Sequence, residues 1–323
     1  MIRLSIVVPC HNEEQTVELF YTATQAIATD ELAKRGVELR YVFIDDGSRD
    51  RTLAKLRALA AAHTEVSYLS FSRNFGKEAA LLAGLQAAVQ SGDLIAVMDV
   101  DLQDPPNLLP HMCDLALTGE YDRIAVRRTS RKGEPPIRSW FARRFYGLMS
   151  RLTDLDLRDG ARDFSIMTKR FVEAVLSCGE YNRFTKGLFG WVGYPTTWVE
   201  YTNVGRAAGE TNWSFWSLVH YAFDGIVAYT VKPLEMLMGI GAMASSFALL
   251  ALLFVVIRAG LYGDPVSGWP SLMAIILLAT GVITFGLGII GFYLSKIYLE
   301  VKGRPVYLIK ETSKQDWQKN NKH

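Results

Sequence analysis

Two stretches near the end of this 323-residue chain, Met236–Ile257 and Pro265–Ser295, run for 22 and 31 residues without a charge. Each exceeds the roughly 20 apolar residues a helix needs to cross a hydrocarbon core, which commits the chain to two membrane helices joined by a short loop. A buried helical hairpin is the competing reading. Lys296, Lys302, Arg304 and Lys310 follow the second run, whereas the Leu261–Trp269 connection carries Asp264 and no cation. The positive-inside tendency therefore puts both ends of the chain in the cytosol, as an integral protein of the plasma membrane. The opening run, Leu4–Val8, stops at Pro9 and a polar cluster, the pattern of a buried strand rather than a signal peptide.

The first 230 or so residues read differently. Short apolar runs at Leu4–Val8, Leu39–Ile44, Val66–Phe71, Leu94–Met98 and Asp122–Val126 alternate with helical patterns at Glu13–Arg35, Arg51–Ala62, Lys77–Gln90 and Asn107–Leu117. Such alternation predicts an α/β domain with a mostly parallel sheet covered on both faces, and sheets of this kind bind ligands at the carboxyl ends of their strands. The expected organisation is a cytosolic domain over 1–210, an interfacial segment over 211–232, the two spans over 233–297 and a cytosolic tail over 298–323. Phe141, Phe145, Leu148, Met149 and Leu152 recur at helical spacing with arginines beside them. They fit a helix lying in the bilayer interface or one facing the core. Trp213, Phe215 and Trp216 offer a further interfacial anchor.

Composition excludes little by itself. Lysine plus arginine (35) and aspartate plus glutamate (33) nearly balance, so overall charge names no partner and nucleic acid is not expected as one. Assembly of several copies stays open. Cys10, Cys113 and Cys178 are far apart, with no paired spacing and no histidine at ligand distance, so reduced structural thiols are expected.

Each expected strand is followed by a polar cluster: Pro9-Cys10-His11-Asn12-Glu13-Glu14, then Asp45-Asp46-Gly47-Ser48, then Ser72-Arg73-Asn74-Phe75-Gly76-Lys77, then Asp99-Val100-Asp101-Leu102-Gln103-Asp104, then Arg127-Arg128. All five should meet on one rim. Asp99 and Asp101, two apart at a strand end, can aim two carboxylates at one hard cation, Mg²⁺ or Mn²⁺, which keeps contacts to substrate phosphates. Arg73 and Lys77 add positive charge, and Lys77 opens a helix whose first amides suit an anion. Asp45 and Asp46 beside a glycine turn can hold ribose hydroxyls or a base N–H. No dinucleotide glycine fingerprint or P-loop lysine is present, which disfavours nicotinamide enzymes and kinases.

In order and spacing these clusters resemble the family-2 glycosyltransferases of GT-A fold, and among them the polyprenyl-phosphate enzymes: dolichol-phosphate mannose synthases and bactoprenol glucosyltransferases. The resemblance covers nearly the whole chain. It implies inverting transfer of one hexose or N-acetylhexosamine from a UDP-sugar to undecaprenyl phosphate at the membrane. GDP-mannose as donor, or a glycan or diacylglycerol as acceptor, stays open, as do an inactive nucleotide-sugar-binding scaffold and a transporter. The resemblance further implies that Pro9, Asn12, Glu13, Asp45, Asp46, Arg73, Lys77 and Asp99 bind the donor. Asp99, Asp101 and Gln103 would surround the metal, and Arg127, Arg138 and Arg206 would meet phosphates, chiefly the acceptor's. Asp101 and Asp163 would stand at the reaction centre, with simple pairing of Asp163 to Arg162 as the alternative. Two departures matter. Gly209-Glu210 is followed by Thr211-Asn212-Trp213, where relatives carry a cation, so Asn212 receives no role. The Gln-x-x-Arg-Trp motif of processive synthases is missing, which favours single transfer.

Overall fold

The computed structural model describes residues 1–129, 160–201, 230–262, 268–314 and 317. It divides into two compact units, Met1–Ala222 with Arg304–His323, and Phe223–Gly303.

The first unit is built on a mixed sheet of strands β1 (Ile2–Cys10), β2 (Val37–Asp45), β3 (Val66–Phe71), β4 (Leu94–Val97), β5 (Arg123–Arg128), β6 (Ala161–Thr168), β7 (Thr196–Tyr201) and β8 (Ile309–Thr312). Their spatial order is β7-β5-β6-β4-β1-β2-β3-β8. Strands β4, β1, β2 and β3 are mutually parallel, and the pairings of β6 to β4 and β5, and of β8 to β3, are antiparallel. With β7 parallel to β5, only β6 and β8 oppose the common direction, so the sheet is mostly parallel, as the alternating pattern predicts.

Helices α1 (Val17–Ile27), α2 (Thr52–Ala62), α3 (Lys77–Ala88), α4 (Leu109–Leu117), α5 (Lys169–Ser177) and α6 (Thr185–Trp191) flank it. Leu4, Ile6 and Val8 of β1 enter one core with Phe20, Tyr41, Phe43 and Leu56, while Val7 faces α3. Both faces of the central strands are buried, which explains their unbroken apolar runs. Helix α3 is buried on nearly every side, and a Cβ on its Gly84 would lie 2.2 Å from Val7 Cγ1. That close approach seats the second half of α3 directly on β1 and β2.

The expected helix Glu13–Arg35 begins only at Val17 and finishes as a π turn, Ala28–Leu32, and a 3₁₀ turn, Ala33–Arg35. Its first residues stay outside because their amides are claimed elsewhere: Glu13 N donates to Thr52 Oγ1 (2.8 Å) and Glu14 N to Asp50 Oδ2 (3.2 Å). Residues 298–323, read above as a tail, supply β8 to the sheet edge.

The second unit holds α7 (Lys232–Tyr262) and α8 (Trp269–Val301), coinciding with the two uncharged runs. Among the described residues one stretch, Leu278–Val301, is long and apolar enough to cross a membrane. The expected interfacial helix around Phe141–Leu152 and the Trp213–Trp216 anchor lie outside the described residues.

Candidate active site at the strand ends

The carboxyl ends of β1 and β2 are tied together by their own loops. Asn12 adopts a left-handed backbone (φ 57°), its N–H donates to Ser48 Oγ (3.0 Å), and its side-chain oxygen accepts from Arg49 N (2.9 Å). His11 bonds the Asp46 carbonyl through Nδ1 (2.8 Å), leaving Nε2 to face the Asn12 and Asn74 amides at 3.2 and 3.1 Å. Gly47 must be glycine, because at φ 63° an added Cβ would sit 2.3 Å from the Arg73 carbonyl carbon.

Asp45 and Asp46 are buried. Asp45 accepts from Ser48 N (3.1 Å) and Ser70 Oγ (2.6 Å), and Asp46 from Phe75 N (2.6 Å) and Gly76 N (2.9 Å). Burial pushes the Asp46 pKa up, against the pull of those two amides. Around them opens a cleft of about 430 Å³ lined by His11, Asn12, Asp45, Ser48, Arg49, Ser70, Arg73 and Lys310, among others. Arg73 is braced there, donating to Asn74 O (2.9 Å) and stacking 4.0 Å from the Phe75 ring centre. Pro9 lies beside Ile44 at the end of β1. A second cavity of about 300 Å³, lined by Leu69, Ala83, Ala87, Leu176 and Ile309, contains none of the candidate residues.

The next residues of the third cluster reach further. Lys77 Nζ lies 2.7 Å from Asp99 Oδ1 and 2.5 Å from Asp163 Oδ2, bridging the ends of β4 and β6. Glu78 accepts from Thr185 N (2.9 Å) and its hydroxyl, pinning the start of α6, and Lys186 of that helix reaches Asp163 Oδ1 at 3.4 Å. Four consecutive residues, Phe75 to Glu78, therefore clamp β2, β4, β6 and α6 around one point.

Desolvation pulls the Lys77 ammonium pKa down, but Asp163 and Asp99 outweigh it and push it up. Burial likewise lifts Asp163, yet Lys186 and Lys77 reverse that and hold its carboxyl well below the usual range. Asp163 is thus held as an anion between two cations. Glu13, half-buried with Thr16 Oγ1 donating to it (2.6 Å), has its pKa raised by burial and by the nearby Asp101, Asp50 and Asp99.

Arg162 and Asp163 part company, as neighbours on a strand do. Arg162 Nε meets buried Asp104 Oδ1 at 2.8 Å, an oxygen shared with the Tyr201 hydroxyl (2.7 Å), and its NH2 reaches Gln103 Oε1 (3.2 Å). The pairing partners of Asp163 are the lysines, and Arg162 instead braces the loop after β4. In that loop Gln103 N donates to Asp101 Oδ1 (3.1 Å), and Leu102 takes a left-handed backbone (φ 56°). No cluster of three or more metal-binding side chains occurs among the described residues. Two carboxylates completed by phosphate oxygens is nonetheless an ordinary donor set for Mg²⁺ or Mn²⁺, and Asp99 with Asp101 fits it. Gln103 fits less well, its side-chain oxygen being turned to Arg162.

Arg127 pairs with Glu200, the residue opposite it in the β5–β7 register. Arg138 and Arg206 lie outside the described residues. Lys186, Glu78 and Tyr201 had no part in the sequence reading, Asp104 entered it only as the end of the fourth cluster, and Lys310 only as a cation after the second apolar run. Lys186 belongs to no motif, and the partners of Glu78 and Asp104 come from a helix, α6, and strands, β6 and β7, that were not foreseen.

A mostly parallel Rossmann-like sheet, with a polar cleft and an acidic pair at its strand ends, defines a GT-A-like protein. The family model described as glycosyl transferase family 2 matches residues 5–176, and the chain belongs to that family. It is 38% identical to the SfII prophage-derived bactoprenol glucosyl transferase of Shigella flexneri, over 96% of this chain and 98% of that one. It is also 38% identical to the putative glycosyltransferase CsbB of Bacillus subtilis, over 96% and 92%. Among solved structures, glucosyl-3-phosphoglycerate synthase of Mycobacterium tuberculosis, in complex with Mn²⁺, UDP-glucose and phosphoglyceric acid, aligns with 70% of this chain and 78% of its own. There the identity is 23% and the TM-score 0.46.

Proposed function

We propose that this glycosyltransferase moves a single sugar, with inversion, from a nucleotide diphosphate sugar to a polyprenyl phosphate such as undecaprenyl phosphate. UDP-glucose and UDP-N-acetylhexosamine are the favoured donors. The observation that carries the reading is the Asp99–Lys77–Asp163–Lys186 chain beside the strand-end cleft. It offers the alternating charge that a departing diphosphate and an entering phosphate require. The full-length likeness to a bactoprenol glucosyl transferase supports the acceptor.

In this reading the cleft at Asp45, Ser48 and Arg73 takes the nucleoside, and Asp99 and Asp101 would hold Mg²⁺ or Mn²⁺. That ion supplies charge compensation for the leaving diphosphate. Lys77 stands where negative charge builds, adding electrostatic stabilisation from a fixed position. Asp163 acts by holding Lys77 and Lys186 in place rather than by taking a proton. A phosphate monoester with a second pKa of about 6 is largely dianionic at neutral pH and needs little deprotonation to attack. Arg127, with Arg138 and Arg206, serves the acceptor phosphate, and two spans over 233–297 anchor a cytosolic catalytic domain to the bilayer where that lipid resides.

The test offers the purified full chain a panel of nucleotide sugars with undecaprenyl phosphate, followed by mass spectrometry of the extracted lipid. A lipid phosphosugar is expected. Transfer to a glycan or diacylglycerol instead would replace the acceptor, and nucleotide-sugar binding without any product would support a scaffold.

A further inference from the structure

Strand β8 carries a defect in its pairing with β3. Ser70 lies opposite Glu311 and Phe71 opposite Ile309, so Lys310 is an extra residue with no partner position. Such a β-bulge breaks the strict alternation of side chains and re-aims one of them. Its effect is visible in the neighbours. Glu311 faces α2, bonding Arg57 of that helix (2.6 Å) and the Tyr68 hydroxyl (3.1 Å), and Ile309 lines the apolar cavity beside α3. Regular pleating would send Lys310 to the side opposite Glu311. Instead it lines the polar cleft with Leu53 of α2, Asp45, Ser48 and Ser70.

Where along a donor would this ammonium act? In the order β4-β1-β2-β3-β8 it stands four strands from Asp99 and Asp101, roughly 19 Å at the usual strand spacing. A diphosphate held near those carboxylates is out of its range, so the part of the donor within reach is the far end, the base. An ammonium only donates hydrogen bonds, and the base atoms that best receive them are carbonyl oxygens.

We propose that Lys310 is a specificity-determining residue that donates from Nζ to a carbonyl oxygen of the donor's nucleobase, selecting uracil or guanine over adenine. The assignment rests on the nucleotide-sugar reading above. Uracil and guanine present such a carbonyl oxygen and adenine has none.

Calorimetric titration of the full chain with UDP, GDP and ADP tests it, using wild type, Lys310→Met and Lys310→Arg. Wild type is expected to bind UDP or GDP more tightly than ADP. Lys310→Met should weaken the preferred diphosphate on the order of tenfold and leave ADP unchanged, while Lys310→Arg keeps most of the affinity. Equal losses for all three nucleotides, or no loss for any, would overturn the assignment. So would a wild-type protein that binds ADP as well as the others, a result independent of how the variants fold. Wild type that binds no nucleoside diphosphate at all would instead overturn the donor reading on which the assignment stands.

Discussion

Two acidic pairs close two strands of the same sheet, and they have opposite characters. Asp45 and Asp46 at the end of β2 are 1% and 4% exposed and spend their oxygens on backbone amides of neighbouring loops and on the Ser70 hydroxyl of β3. At the end of β4, the Asp99 side chain is 24% exposed and faces a lysine, and Asp101 is only half-buried. In sequence both are carboxylates ending an apolar run. The difference teaches that a strand-end carboxylate buried among fixed donors becomes scaffold, and one left partly exposed stays available to a cation.

Exchanging carboxylate for amide at each pair should separate the two roles. The largest effect is expected at Asp101→Asn, a loss of transfer on the order of a hundredfold or more with the unfolding midpoint unchanged. Transfer that persists after removal of divalent metal would break the distinction. Asp46→Asn should act through folding: an amide offers one oxygen to two N–H donors and sets its own NH₂ against them, costing about 2 kcal/mol in denaturant titration. Wild-type stability in that variant would mean the Phe75 and Gly76 amides are satisfied otherwise.

Asp163→Asn sharpens the contrast from the reactive side. Because the folded pKa of Asp163 is lowered, its ion pairs persist above the ordinary carboxylate value and are lost only when pH falls through the far lower folded value. Single-turnover transfer should therefore slow roughly tenfold in the mutant, in keeping with a lost positioning contact, yet rise with pH alongside the acceptor phosphate in both proteins. A separate basic limb present in wild type and missing in the mutant would make Asp163 a proton acceptor. The smallest effect is expected at Arg127→Ala, where a several-fold rise in the polyprenyl phosphate requirement should exceed any change for the nucleotide sugar. Equal changes toward both substrates would reduce Arg127 to a partner of Glu200.

Strands β1 to β5 were legible because central strands buried on both faces are written as continuous apolar runs. Strand β6 was not, since it opens Ala-Arg-Asp and its charged residues serve the site. Strand β8, Ile-Lys-Glu-Thr, is a short polar edge, the composition that keeps edges from pairing with other chains. The site followed the same division. Asp99, Asp101 and Lys77 were visible through their clusters and Asp163 only through the family resemblance, and Lys77, Asp99 and Asp163 do meet. The role of Asp46 was not visible, because its partners are backbone amides from a loop about thirty residues away. Lys186 could have been found only by knowing that Glu78 fixes the start of α6.

The place of β8 in the chain also sets a timetable. The edge of β3 that it covers is synthesised 238 positions earlier, counting from Phe71 to Ile309, with both long helices made in between. At the usual ~5–20 residues per second, roughly 12–48 s pass before that edge can receive its partner. Until then β3 has no β8 to pair with, and the cleft lacks the wall that holds Lys310. Any sheet that formed before β8 arrived would carry this open edge, so early pairing of β1 to β3 would need it shielded from other extended segments.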